Sequence, residues 1–169
     1  MSIRNHLIVF PTAETESELM RYMGGCPFDY KPPETWHVTL YVSQKEMPIS
    51  ILKPNTVYRA AGVKADLWYD SQLKRTNFVM VMESQDMVNR HSEIESVGIE
   101  STFVEYVPHL TLVYGFPEVT QSRKAFRNSL TMTLQRLGDS LMFTGESLID
   151  SDGYTPNVAG QKWYGDRNK

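Results

Sequence analysis

The tetrapeptide His37-Val38-Thr39-Leu40 returns as His109-Leu110-Thr111-Leu112 in the second half of the chain, and few sequence features restrict a fold as tightly as an internal repeat. The repetition extends beyond the motif. Leu7 leads an apolar run ahead of the first histidine, and Val79, in a similar run, stands at the same separation ahead of the second. Under one offset, the strand, helix and strand of the first half fall on the strand, helix and strand of the second. With four histidines in the chain, two of them carrying Thr and Leu at these spacings by composition alone has a chance of ~0.0002. Two copies of one supersecondary unit are the simplest account.

Hydrophobic patterning supplies the elements of each copy. Leu7-Ile8-Val9-Phe10, ending at Pro11, reads as a buried strand. Thr15 and Glu18 have the spacing of a capping box, and Leu19, Met20 and Met23 form the apolar stripe of a helix stopped by Gly24-Gly25. Trp36 to Val42 is rich in β-branched and aromatic residues and predicts a strand whose alternation puts His37, Thr39 and Tyr41 on one face. Thr56 to Ala60 and Val63 to Tyr69 read as two extended partners across Gly62. Thr76 to Glu83 is a further strand, Gln85 to Val97 a helix ended by Gly98, and Tyr106 to Gly115 a strand interrupted at Pro108. Ser122 to Leu137 carries Phe126, Leu130, Leu134 and Leu137 at helical spacing, and Leu141 to Phe143 with Leu148-Ile149 predict a last strand or pair. The expected architecture is α+β: two pseudo-symmetric lobes of antiparallel sheet backed by helices, with a central cleft, forming a single bilobal domain over residues 1–149. Residues 150–169 form a polar tail, in which Tyr154, Trp163 and Tyr164 imply that part of it covers something.

Charge and cysteine content narrow the partners. The formal net charge is −3 and the pI about 5.8, without a long Lys/Arg run, so the chain lacks the electrostatic footprint of a protein that binds long duplex nucleic acid or an anionic membrane. Any nucleic acid it handles is expected to be short. The single cysteine, Cys26, cannot form an internal disulfide and reads as a small buried residue. No signal segment or membrane span is read at the start of the chain, so a cytosol, bacterial or that of a host cell, is the expected compartment.

The chemistry sits in the two H-x-T elements. In a strand, residues i and i+2 point the same way, so each element sets an imidazole beside a hydroxyl. A duplicated fold would bring the two couples together. An imidazole has an ordinary pKa near 6.5, so of two facing histidines one can accept a proton while the other donates one. The Thr39 and Thr111 hydroxyls suit the non-bridging oxygens of a phosphoryl group between them. Such a site favours a phosphodiester beside a ribose 2′-OH: one histidine deprotonates that hydroxyl, its oxygen attacks phosphorus in line, and the other histidine protonates the departing 5′ oxygen. Which histidine plays which part is left open by the residues, and no metal or cofactor is called for. Asp66, Asp70, Asp150 and Asp152 do not fall at convincing ligand spacing, and His6 and His91, which lack the following Thr, are assigned no chemistry.

Paired H-x-T motifs on a duplicated chain of this size resemble the 2H phosphoesterases, and within them the phage anti-CBASS nucleases that cleave cyclic oligonucleotide signals. The resemblance covers Leu7 to about Ile149. It implies His37 and His109 as acid and base with Thr39 and Thr111 beside them, and a small cyclic di- or trinucleotide as substrate. Trp68 is similar to the base-stacking residue of that subgroup, and Glu146, in Thr144-Gly145-Glu146-Ser147, to its late acidic residue that contacts a base edge. Tyr41 is placed as lining or flooring the cleft. The chain has no obvious tyrosine in the first strand, where the subgroup has one; Phe10 or Thr12 stands there instead. Two other readings use the same residues differently: an enzyme that opens 2′,3′-cyclic phosphates or processes RNA ends, and a module that sequesters cyclic nucleotides without cutting them. An inert duplicated scaffold is the third and blandest.

Overall fold

The computed structural model describes residues 3–27, 36–71, 74–102, 105–116, 118–137 and 140–150. The chain runs β1 (Arg4–Pro11), α1 (Ala13–Tyr22), β2 (Val38–Val42), β3 (Tyr58–Asp70), β4 (Arg75–Glu83), α2 (Gln85–Ser96), β5 (His109–Phe116), α3 (Gln121–Leu137) and β6 (Ser140–Asp150). All strand pairings are antiparallel, in the cyclic order β1-β2-β5-β4-β3-β6. That order is symmetric about the β2–β5 seam: β6-β1-β2 lies on one side and β3-β4-β5 on the other. The two lobes are therefore halves of one barrel wall, joined at β2–β5 and closed again where Tyr58 to Ala61 pair with Phe143 to Ser140. Among the described residues no helix is long and apolar enough to cross a membrane.

The repeat inferred from the H-x-T elements is visible in the caps as well. Thr12 Oγ1 accepts a hydrogen bond from the Thr15 amide at the start of α1, and Ser84, its equivalent under the same offset, accepts one from the Met87 amide at the start of α2. The capping box read at Thr15 is thus displaced by one turn. Thr15 is buried and its hydroxyl instead accepts from the Met142 amide at 2.7 Å, tying α1 to β6.

The reading of a turn at Gly62 is also corrected. Residues 58–70 form one continuous strand, with a register shift between Gly62 and Lys64. Gly62 is needed for closeness: a Cβ there would lie 2.8 Å from a Leu134 methyl of α3 and 3.2 Å from the Met80 sulfur. Likewise residues 140–150 form one strand, not two. Cys26 is half-buried against the core. The tail residues Tyr154, Trp163 and Tyr164 lie outside the described residues.

The helices cover one face of the wall. Phe78 of β4 meets Phe126 of α3 with ring centroids 5.7 Å apart, Ala65 of β3 exchanges hydrogen bonds with Thr131 of α3, and Tyr41 of β2 meets His91 of α2. Val38, Leu40, Leu110 and Leu112 belong to the same apolar cluster as Leu19, Met87, Ile94, Leu130 and Leu134 of the helices. Alternation then turns their neighbours, the histidines and threonines of the repeat, away from the helices.

Beneath α2 lies a buried ion pair. Arg90 reaches Glu146 of β6 through Nε at 2.8 Å and Nη2 at 2.9 Å, and Glu146 also accepts from the Lys53 amide and the Tyr58 hydroxyl. A carboxylate removed from water is tolerable only with such a set of partners. Replacing Arg90 by Ala should cost about 3–5 kcal/mol of unfolding free energy, whereas the joint Arg90→Met, Glu146→Leu variant should cost clearly less. Ser84→Ala should cost about 1–2 kcal/mol, because Ser84 caps α2 and also donates to the Arg59 carbonyl at 2.6 Å. Urea titration checks all three; equal losses for the single Arg90 variant and the double variant would refute the account of the pair.

Candidate functional site

Val38 stands directly opposite Leu110 across the β2–β5 seam. These two residues are also equivalents under the internal repeat, so a local dyad passes between them. An antiparallel register through this pair sets His37 across from Thr111 and Thr39 across from His109. The Trp36 indole, donating to the Leu112 carbonyl at 3.3 Å, carries the same register one step further. That register places the four residues at the corners of a rectangle, the two histidine positions on one diagonal and the two threonine positions on the other. Diagonal positions in an antiparallel pair are about 7–8 Å apart.

Burial grades across the rectangle. His37 and Thr111 are 4% and 8% exposed, whereas Thr39 and His109 are half-buried. Apolar residues frame it on both flanks: Ile8 of β1 lies opposite Thr39, and on β4 Val79 lies opposite Thr111 and Val81 opposite His109. Ile8 and Val79 are buried, yet neither belongs to the cluster shared with the helices. Their place in the frame was not legible, because an apolar residue in a strand reads as core whichever face it occupies.

His109 is held in a defined state. Its Nδ1 lies 2.9 Å from the Val107 carbonyl, an acceptor, so the proton sits on Nδ1 and Nε2 carries the lone pair. Desolvation lowers its pKa below the ordinary 6.5, outweighing the opposing pull of the Val107 carbonyl, so the ring is neutral near pH 7. Its ring lies 4.5 Å from that of Trp68, tilted by 51°. Trp68 is oriented by its indole N–H, which donates to Asp66 Oδ2 at 3.0 Å. Burial works against ionisation of Asp66, but the Leu67 amide, the Trp68 indole and Lys64 together hold its pKa below the usual range. The structure thus brings Trp68 to the histidine itself.

Phe10 is half-buried, on the same face of β1 as Ile8 and opposite Thr144 of β6. Tyr41 and Glu146 are placed elsewhere. The register of β1 on β2 shifts between Leu7, opposite Tyr41, and Ile8, opposite Thr39, so an extra residue enters β2 and breaks the alternation that predicted a shared face. Tyr41 is fully buried, its ring against His91 and its hydroxyl donated to the Ile99 carbonyl. Glu146 follows Gly145, whose φ of +77° marks a second bulge, between Ile8 and Phe10 of β1. Its carboxylate turns to Arg90 under α2, and both oxygens are engaged there. Neither residue is presented to a ligand at the rectangle.

Two residues assigned no chemistry have definite places. His6 has its Nδ1 3.0 Å from Asn5 Oδ1, and desolvation pushes its pKa down to about 4 against the pull of Asp150. His91, buried in α2, is stacked on Tyr106 with centroids 4.6 Å apart and planes 11° apart. No pattern in the sequence points to that contact, which joins a helix to a loop residue with no periodic relation to it.

Comparison with known proteins bears on the whole arrangement. The chain is 29% identical over 82 residues to an anti-CBASS protein Acb1 of Vibrio phage KVP40; the aligned part is 48% of this chain, and the chain spans about half the length of that curated relative. Residues 15–137, which hold both H-x-T elements, α2 and α3, match the family described as anti-CBASS protein Acb1. The chain belongs to the anti-CBASS protein Acb1 family.

Proposed function

We propose that this protein is a phosphodiesterase of the two-histidine type that opens small cyclic oligonucleotides, and that it thereby counters CBASS, the system its family is named for opposing. The observation that carries the reading is the rectangle at the β2–β5 seam: two imidazoles on one diagonal and two hydroxyls on the other, produced by a dyad between repeat-equivalent residues. The relative in Vibrio phage KVP40 supports the phage setting, in which the host cytosol would be the place of action.

In this mechanism His109 is the general base. It is neutral, its tautomer is fixed by Val107, and its Nε2 lone pair is the free position for a proton. Nε2 takes the proton of a ribose 2′-OH, and the 2′ oxygen attacks the adjacent phosphorus. The bond from phosphorus to the 5′ oxygen breaks in line, and His37, as general acid, delivers a proton to the departing oxygen. The product is a linear oligonucleotide with a 2′,3′-cyclic phosphate at one end and a 5′-hydroxyl at the other. Thr39 and Thr111 donate to the non-bridging oxygens as charge builds on them. Each positioned proton transfer supplies typically ~10²–10⁴-fold, and fixing nucleophile and leaving group in line supplies more. The reaction is proposed to need no metal. Trp68 presents an aromatic surface beside the base, where a nucleobase of the substrate would stack.

The test is a mass-spectrometric assay of cyclic di- and trinucleotides, with and without EDTA, beside an RNA ending in a 2′,3′-cyclic phosphate. Linear products carrying a cyclic phosphate and persisting in EDTA are expected. His37→Ala and His109→Ala should each lower kcat by about 10²–10⁴-fold with the fold retained. Tight binding of cyclic nucleotides without any product over hours would replace the reading with sequestration, and turnover of the RNA end alone would replace the substrate. In a separate measurement, kcat/KM against pH should be bell-shaped, with its acid limb lost on protonation of His109 and so centred below pH 6.5, because desolvation depresses that pKa. An acid limb centred above pH 6.5 would remove His109 from the role of base.

A further inference from the structure

Two hydrogen bonds from consecutive residues reach both H-x-T elements. The Tyr106 hydroxyl donates to the Thr39 carbonyl at 2.8 Å, and the Val107 carbonyl, next in the chain, accepts from His109 Nδ1 at 2.9 Å. One short segment before β5 therefore holds the first element by its backbone and the second by its catalytic ring. Burial raises the Tyr106 pKa, so the hydroxyl remains a donor throughout the range in which histidines titrate. Its ring is clamped in turn. His91 of α2 lies parallel to it at 4.6 Å and meets Tyr41 of β2 at 4.6 Å on a 42° tilt, while Tyr41 donates to the Ile99 carbonyl. His91 Nε2 and Ser101 Oγ lie 3.3 Å apart. The Tyr41-His91-Tyr106 stack thus fastens the segment after α2 to both α2 and β2.

We infer that Tyr106 is a positioning residue that keeps the two imidazole-hydroxyl couples in register, with His91 as its buttress. Its Oη holds Thr39 at the level of His109, and by anchoring residue 106 it fixes the carbonyl that sets the His109 tautomer. A displacement of about an ångström in a site of this kind costs on the order of 10²-fold in rate, so a hydroxyl remote from the substrate has leverage over catalysis without contributing to binding.

The kinetic arm of this proposal rests on the phosphodiesterase reading; a second arm needs no substrate. Tyr106→Phe removes the hydroxyl and leaves the ring against His91. We expect kcat to fall roughly tenfold or more with KM within about twofold of wild type. In the free protein, imidazole ¹⁵N shifts should move from a dominant Nδ1–H form of His109 towards a mixture of tautomers. His91→Phe, which retains an aromatic ring between Tyr41 and Tyr106, should keep kcat near wild type, and His91→Ala should behave like Tyr106→Phe. A Tyr106→Phe enzyme with wild-type kcat, or with wild-type His109 shifts, overturns the proposal. So does a loss carried by KM rather than kcat. If the wild type turns over no cyclic nucleotide, the phosphodiesterase reading fails by itself and the tautomer measurement still judges Tyr106.

Discussion

The pairing of Val38 with Leu110 is the contact on which the site depends. Side chains alternate along a strand, so a slip of one residue at this seam would send His37 or His109 to the helix-covered face and bring an apolar residue in its place. The apolar side of the seam resists the slip. Val38, Leu40, Leu110 and Leu112 are each no more than 1% exposed and belong to an apolar cluster that includes residues of all three helices, and each fully buried aliphatic side chain is worth roughly 1.5–3 kcal/mol. Register is thus specified from the back of the wall, and the polar rectangle on the front inherits it. Duplication supplies the remainder: because the paired residues are repeat equivalents, the dyad relating the halves must relate the two couples.

The electrostatics of the two faces are kept apart by bulges. An anionic side chain beside the rectangle would oppose a phosphodiester, and Glu146 would stand there if β6 alternated regularly past Thr144, which faces Phe10. The extra residue at Gly145 turns the carboxylate instead to Arg90 beneath α2. The front of the wall is left with Ile8, Val79 and Val81 around two imidazoles and two hydroxyls. Burial also disfavours the His109 imidazolium, holding its pKa below the ordinary value. Asp66, on the same strand as Trp68, has its carboxylate directed to the Trp68 indole, the Leu67 amide and Lys64.

What was legible in the sequence follows from which signals are local. The repeat, β4, α2 and α3 were readable because periodicity and stops such as Gly98 lie within each segment. The quartet His37, Thr39, His109 and Thr111 was readable because its spacing is two and its recurrence is internal. Tyr41 was misplaced because it follows a bulge, where the extra residue is set by what pairs across the strand; Glu146, singled out by resemblance alone, also follows a bulge, and its carboxylate goes to Arg90. Gly62 misled in the opposite direction, since a glycine serving the close approach of Leu134 looks in sequence like one serving a turn. Tyr106 and His91 carried no signal because stacking between a loop and a helix leaves no period.

A two-histidine mechanism asks different things of its two rings. Two imidazoles in identical surroundings would share one proton affinity, and neither would be marked as acid or base; separating such roles is a matter of environment. Here the dyad equates the positions and the surroundings distinguish them. His37 precedes β2 and is 4% exposed, while His109 opens β5, is half-buried, lies against Trp68 and donates a hydrogen bond from Nδ1 to the Val107 carbonyl. Trp68 stands on β3 and Val107 in the segment before β5, both in the second half of the wall. Duplication therefore accounts for the convergence of the couples, and divergence between the halves accounts for the division of labour proposed for them. A chain with two perfectly equivalent halves would build the same rectangle without fixing, before substrate binds, which ring carries the proton.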